Sequence, residues 1–265
     1  MKMVVTDLDG TLLRSDKSVS ERTLNALKGL DSQNIKFVIA TARAKRSVCT
    51  LLPFNFKNMY VIYYNGAEIY NGNDLMYSQY IEANRVKEIV GWLISRYPGI
   101  NLSLEIFNQL YTCFDIKAMK GWIPPYTQVD FNTFEYNSAA KILVDLQYID
   151  DVSEISMYLP NDCKMVITDG GTLGQISHKD VSKINGIRRL AERFNLCLED
   201  IIAFGDDYND IDMIKECGIG VAMGNAPREI REIANTVAAT NDEDGVAIEI
   251  EKLFYKENSV WGRAS

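Results

Sequence analysis

Histidine is almost missing from this 265-residue chain: His178 is the only one, so a histidine metal cluster is excluded and a His-based triad has a single candidate base. The five cysteines (Cys49, Cys113, Cys163, Cys197 and Cys217) are scattered, odd in number and never in a C-x-x-C pair. That spacing argues against a zinc site or a disulfide framework. No apolar run reaches 18 residues, and the apolar start is interrupted at Asp7 before it attains leader length. The expectation is therefore a soluble, cytoplasmic protein. Basic charge is in short supply: 28 Lys and Arg against 36 Asp and Glu leave a net charge of −8. Such a surface repels phosphodiester backbones and anionic headgroups, which argues against nucleic-acid and membrane partners. A small phosphorylated substrate stays open, because a local metal or lysine reverses the sign inside one pocket. Internal repeats and low-complexity segments are also lacking. What is there is a 47% apolar, 24% charged composition, ample for a buried core and inconsistent with global disorder.

Periodicity divides the chain into two kinds of segment. Met3–Thr6, Phe37–Ala40 and Tyr60–Tyr63 are short apolar runs of strand type, each ended by a polar cluster. Between the first two, Leu24, Leu27 and Leu30 recur at helical spacing after Ser20, a candidate N-cap; a short helix over 44–52 is stopped by Pro53. Alternation of this kind predicts a parallel sheet with helices on both faces. The rhythm then changes near residue 80. Val86, Ile89, Val90, Leu93, Ile94 and Tyr97 mark an amphipathic helix, followed by strands near 101–106 and 110–115, a third at Ile142–Leu146, a helix near 150–159, and strands near 165–168 and 173–177. Short turns such as Asp169-Gly170-Gly171 make these pairs antiparallel. From Ser182 the first rhythm resumes, with strands at Ile201–Phe204 and Ile219–Ala222, Pro227 opening a helix, and a last helix over 245–254. The expected architecture is α/β: a Rossmann-like doubly wound parallel core, residues 1–80 and 182–265, with an α+β domain inserted at 81–181.

Ligands of open parallel sheets bind beyond the carboxyl ends of the strands. There the sequence places Asp7 and Asp9 after the first strand, Thr41 and Arg43 after the second, Asn65 after the third, and Asp206, Asp207, Asn209 and Asp210 after the fourth. Any one of these is ordinarily a solvated loop or capping group. Together they bring carboxylates from two strand ends to one place, which calls for a cation, and hard oxygen ligands suit Mg²⁺.

Asp7-Leu8-Asp9-Gly10-Thr11-Leu12 resembles the D-x-D-G-T-L nucleophile motif of the haloacid dehalogenase superfamily. Thr41, Lys183 and Gly205-Asp206-Asp207-Tyr208-Asn209-Asp210 are similar to its second, third and fourth motifs, in order along the chain. Val221–Ala226 and Asn241–Ala247 resemble the Cof-type branch, whose large α/β (type IIB) cap is inserted where the rhythm changes here. The resemblance implies a Mg²⁺-dependent phosphatase of small phosphorylated metabolites, sugar phosphates above all, acting through an aspartyl-phosphate. It implies Asp7 as nucleophile and Asp9 as acid and base, with Mg²⁺ held by Asp7, the Asp9 carbonyl and Asp206. Thr41, Ala42, Arg43, Lys183, Asn209, Asn65 and Gly66 would contact phosphate or substrate, Lys183 and Thr41 aiding the chemistry, with Asp210 and Asp207 in support. Alanine replaces the usual glycine at Ala42, which keeps the N–H donor provided φ is negative. A monomer or weak homo-oligomer is expected. Two alternatives remain open: a phosphosugar mutase of the same superfamily, and a catalytically silent phosphometabolite-binding protein. Phe107, Tyr111, Phe114, Trp122 and Tyr126 are candidate pocket aromatics or, more ordinarily, core; His178 is expected in an exposed loop.

Overall fold

The computed structural model describes residues 1–52, 56–116, 124–147 and 149–254. Pro53, Trp122 and the tail after Phe254 lie outside the described residues. In chain order the elements are β1 (Met3–Thr6), α1 (Glu21–Ser32), β2 (Lys36–Ala40), α2 (Lys45–Leu51), β3 (Met59–Tyr63), β4 (Glu68–Asn71) and β5 (Asp74–Ser78). Then follow α3 (Ala83–Arg96), β6 (Leu102–Ile106), β7 (Gln109–Thr112), β8 (Tyr126–Gln128), β9 (Lys141–Asp145), α4 (Ser153–Tyr158), β10 (Cys163–Thr168) and β11 (Leu173–His178). The chain closes with α5 (Lys183–Arg193), β12 (Ile201–Gly205), α6 (Ile211–Glu216), β13 (Ile219–Ala222), α7 (Arg228–Ile233), β14 (Thr236–Val237) and α8 (Gly245–Phe254). None of the described helices is long and apolar enough to cross a membrane.

Two compact units emerge. The first comprises Met1–Arg43, Val48–Tyr77 and the chain from Ser182 on; the second comprises Ala44–Ser47 and Ser78–Val181. In the first, the described strands form an eight-stranded sheet in the order β14-β13-β12-β1-β2-β3-β4-β5. It is parallel from β14 to β3, and β4 turns back antiparallel to β3. Every residue of β1, β3 and β12 is buried, as a parallel strand covered on both faces requires. β1 lies between β12 and β2, with Thr6 opposite Phe204 on one side and Ile39 on the other. The carboxyl ends of three strands therefore meet around Asp7.

Helices hold that arrangement. Ser20 accepts a hydrogen bond from the Thr23 N–H and caps α1, whose Ala26, Leu27 and Leu30 are buried. Ser182 does the same for α5 through the Asn185 N–H, and such a cap contributes about 1 kcal/mol. Ile184, Ile187 and Leu190 of α5 join Val5, Val38 and Ile62 in one core cluster. Each large aliphatic buried this way contributes roughly 1.5–3 kcal/mol before cavity effects. Pro227 precedes α7 as its N-cap instead of occupying the first helical position.

In the second unit the described strands form a six-stranded sheet in the order β10-β11-β9-β6-β7-β8. Its pairs are antiparallel except β7 with β8. Alternation is strict in β9: Ile142 and Val144 enter a core with Val86, Ile89 and Leu93 of α3, while Lys141 and Asp145 face the other way. The β6–β7 hairpin turns through Phe107 and Asn108, both left-handed, as a tight hairpin demands. Ile94 and Tyr97 only line that core's edge. Sequence periodicity does not reveal β4, β5, β8, β14 or α6, all too short to carry a period of their own.

Candidate active site

Asp7 follows β1 directly and is 7% exposed. Its Oδ1 accepts a hydrogen bond from Lys183 Nζ at 2.5 Å, and the same ammonium donates to Asp210 Oδ1 at 2.6 Å. Lys183 is the first residue of α5 and only 2% exposed, so it is not the solvated lysine that a first helical turn ordinarily carries. The other oxygen of Asp210 accepts the backbone N–H groups of Asp206 and Asp207 at 3.0 and 3.1 Å. Asp210 is thus committed to one ammonium and two amides. Asp206 receives the Thr11 hydroxyl on Oδ1 at 2.6 Å. Gly10 lets the two segments approach: its φ is +78°, and a Cβ there would overlap the Asp206 carboxylate.

Carboxylate oxygens of Asp7, Asp206 and Asp210 lie within 4.8 Å of one another. Burial raises the Asp7 pKa; Lys183 opposes this and Asp210 and Asp206 reinforce it, leaving Asp7 at about 8. Burial likewise raises Asp206 to about 6, with the Thr11 hydrogen bond opposing and the charges of Asp210 and Asp207 reinforcing. Burial alone would lower the Lys183 pKa, but Asp210 and Asp7 outweigh it and hold the ammonium well above the ordinary lysine range. Asp7 and Asp210 share the one ammonium, and Asp206 beside them has no ion pair among the described residues. Asp7 and Asp206, hard oxygen donors with charge in excess, fit Mg²⁺; Asp210, already committed, fits the group that orients Lys183.

Thr41 is buried at the end of β2, where its Oγ1 accepts from the Arg43 N–H at 3.1 Å. Ala42 between them has no positive φ, so its N–H is kept without strain. Asp9 departs from expectation. Its carboxylate is clasped by Arg43, Nε to Oδ2 at 2.5 Å and Nη2 to Oδ1 at 2.7 Å, and by Lys17 Nζ at 2.9 Å. Burial pushes the Asp9 pKa up, but the hydrogen bonds from Arg43 and Lys17 more than offset it and hold it below the usual range. In this conformation Arg43 serves Asp9.

Asn209 Nδ2 donates to Asn65 Oδ1 at 3.2 Å. Asn65 itself is left-handed, and its N–H donates to the Thr41 carbonyl at 2.9 Å. Gly66 follows at φ +114°, pressed so closely on the Ser182 backbone that no Cβ fits. That turn therefore ties the Thr41 loop to the start of α5. Asp207 is exposed and caps Tyr208 through its N–H. In the second unit, His178 accepts the Asp180 N–H on Nδ1 at 3.2 Å. Tyr111 packs against Phe134 at 5.1 Å, Phe107 is exposed, Phe114 is half-buried, and the Tyr126 hydroxyl donates to Asp115. Sequence reasoning gave no role to Thr11, Lys17, Asn225 or Asn241. Thr11, Asn225 and Asn241 stand inside segments whose wording is distinctive; Lys17 has no such signal.

The profile of the haloacid dehalogenase-like hydrolases matches residues 4–250. Phosphatase YwpJ of Bacillus subtilis is 31% identical over 279 residues, spanning 93% of this chain and 98% of its own length. The 5-amino-6-(5-phospho-D-ribitylamino)uracil phosphatase YitU of the same organism is 28% identical over 263 residues, spanning 95% and 97%. A haloacid dehalogenase-like hydrolase from Bacteroides thetaiotaomicron superposes with a TM-score of 0.82 at 28% identity, over 96% of this chain and 99% of that one.

Proposed function

Because the chain belongs to the Cof-type haloacid dehalogenase-like hydrolases, and so to the phosphoric monoester hydrolases, we propose that it is a Mg²⁺-dependent phosphatase of small phosphorylated metabolites, sugar or sugar-alcohol phosphates in particular. The observation that carries this reading is the buried Asp7–Lys183–Asp210 chain beside Asp206, in which negative charge exceeds positive. YitU is named for a phosphorylated ribitylamino compound, which supports a polyol or sugar phosphate as the substrate class. The second unit is read as the cap of this branch. The protein is read as cytoplasmic, monomeric or weakly homo-oligomeric, and without nucleic-acid or membrane partners.

In this reading Asp7 attacks phosphorus, its carboxylate oxygen forming a bond as the ester P–O bond breaks. Asp9, once released from Arg43 and Lys17 and protonated, gives its proton to the departing alkoxide. It then takes a proton from the water that attacks the aspartyl-phosphate, so that inorganic phosphate leaves and Asp7 is restored. Lys183 stabilises the charge that develops on the phosphoryl oxygens, and its double hydrogen bond fixes it for that task. Thr41, with the N–H groups of Ala42 and Arg43, and Asn209 with Asn65 and Gly66 nearby, would hold the phosphoryl group and its neighbourhood. Asp7, the Asp9 carbonyl and Asp206 would hold Mg²⁺, which would supply positive charge to let one anion approach another. Asp207 remains a solvated neighbour.

The test is phosphate release from a panel of sugar phosphates, sugar-alcohol phosphates and nucleotides, with Mg²⁺ and with EDTA. Magnesium-dependent release that favours the first two classes is expected. Isomerised sugar without release would convert the reading to a mutase; tight binding without turnover would convert it to a silent binding protein.

A further inference from the structure

Asn225 takes no part in the chemistry above, yet it touches both segments that carry the metal-site groups. Its Nδ2 donates to the Gly10 carbonyl at 2.8 Å and lies 3.5 Å from Asp206 Oδ2. Its Oδ1 accepts the backbone N–H of Asn241 at 3.1 Å. Asn241 is 8% exposed, and its own Nδ2 donates to the Leu13 carbonyl at 2.9 Å. Two linked amides therefore grip the Asp9–Leu13 turn at two of its carbonyls. Thr11, inside that turn, holds the other oxygen of Asp206.

From this geometry we infer that Asn225 is a positioning residue for divalent-cation binding, resting on the reading of Asp7 and Asp206 as metal ligands. The physical reason lies in the donors chosen. Asp206 meets a hydroxyl on Oδ1 and the edge of an amide on Oδ2, both neutral. Neutral donors fix a carboxylate's orientation without cancelling its charge, so Asp206 keeps its full charge for a metal. Asp7 and Asp210 share the lysine, and Asp9 has an arginine and a lysine. Asp206 is the carboxylate of the group held by uncharged partners. The Gly10 carbonyl, fixed by the same amide, sets the path of the turn next to Asp9, whose own carbonyl is the third expected ligand.

The experiment is calorimetric titration of Mg²⁺ into metal-free wild type, Asn225→Ala and Asn241→Ala, with melting temperatures recorded alongside. Removing a group that orients a metal ligand typically weakens metal affinity about 10–100-fold. Asn225→Ala should lose affinity in that range, and the Mg²⁺ concentration that gives half-maximal activity should rise in parallel. Asn241→Ala, which loosens the turn at Leu13 only, should lower the melting temperature and leave the Mg²⁺ affinity nearer to wild type. Should Asn225→Ala fail to fold, Asn225→Ser answers the same question, because its hydroxyl stops short of Gly10 and Asp206. Equal Mg²⁺ affinity in wild type and either Asn225 variant would overturn the inference and leave the proposed function standing. A wild type that binds no Mg²⁺ would overturn both.

Discussion

Two clusters of buried charge can be set side by side, one in each unit. In the second unit Arg46 and Glu105 form a fork-to-fork pair, both hydrogen bonds 2.7 Å, with side chains 14% and 7% exposed. Lys141 nearby donates to Gln175, which in turn donates to Thr168. In the first unit Lys183 stands between Asp7 and Asp210, side chains 1%, 9% and 0% exposed, with Asp206 alongside. Burial is alike, so burial does not separate them. Balance does. Each charge of the Arg46–Glu105 pair meets its counter-charge and Lys141 donates to a neutral amide, whereas Lys183 meets Asp7 and Asp210 and leaves Asp206, among the described residues, without a counter-charge of its own. A structural ion pair needs nothing further; a cluster with surplus charge is completed by a cation from outside.

The difference can be broken in three ways. The largest effect is on turnover. Asp7→Asn keeps the shape and removes the carboxylate proposed to attack phosphorus, so kcat should fall by roughly 10³-fold or more, as loss of a nucleophile does. The melting temperature should hold, because one of the mutually repelling groups is gone. Glu105→Gln should act in the opposite sense, lowering stability while the Mg²⁺ affinity of the other unit is unchanged. Phosphate release and thermal scans on both variants check this.

The next effect is on stability. Breaking a buried pair from one side costs about 3–5 kcal/mol. Arg46→Met should fall in that range, and the double change Arg46→Met with Glu105→Leu should recover most of the loss, because a balanced pair can be replaced by packing. Lys183→Met should lose as much, yet part of it should return when Mg²⁺ is added, since the stranded carboxylates include those proposed to hold the metal. Urea titrations with and without Mg²⁺ separate the two cases. Equal rescue of Arg46→Met and Lys183→Met would erase the distinction.

The smallest effect is a dependence on pH. In the folded protein the Asp206 and Asp7 carboxyls are raised from the ordinary aspartate value to about 6 and about 8. For a raised carboxyl the neutral form is favoured by folding. Without metal, its contribution is full below the unfolded value and is lost as pH rises through the folded one. Metal-free protein should therefore lose a few degrees of melting temperature between pH 5 and about 8, and the increment given by Mg²⁺ should grow over the same window. Scanning calorimetry at several pH values checks it; an increment that does not vary with pH would contradict the account.

Much of the fold was legible because its strands are apolar runs bounded by polar clusters, as Met3–Val4–Val5 before Asp7 and Ile201–Phe204 before Gly205 illustrate. Ser20 announced its helix through a side chain that can cap, whereas the same role of Ser182 before α5 emerged only in the structure. The short extension β4–β5 had no comparable signature, since only Glu68 and Ile69 are buried and the remaining residues, half-buried or exposed, follow no clean period. At the site, residue types at the strand ends pointed to Asp7, Asp206 and Asp210, whose charges demand company, while Lys183 stood out only through the family motif it resembles. The clasp of Asp9 by Lys17 was not legible, because it depends on a surface turn in which Lys17 adopts a φ of +67°. Nor was the Asn225 amide, 215 residues from Gly10 in sequence and brought there only by the sheet.

The measurement that tests the central claim most directly is phosphate release from sugar phosphates by wild type and Asp7→Asn, each with Mg²⁺ and with EDTA. Surplus carboxylate charge completed by Mg²⁺ predicts release by wild type with Mg²⁺ alone, and none above background from the other three samples. Release that persists in EDTA, or that survives Asp7→Asn, would contradict it.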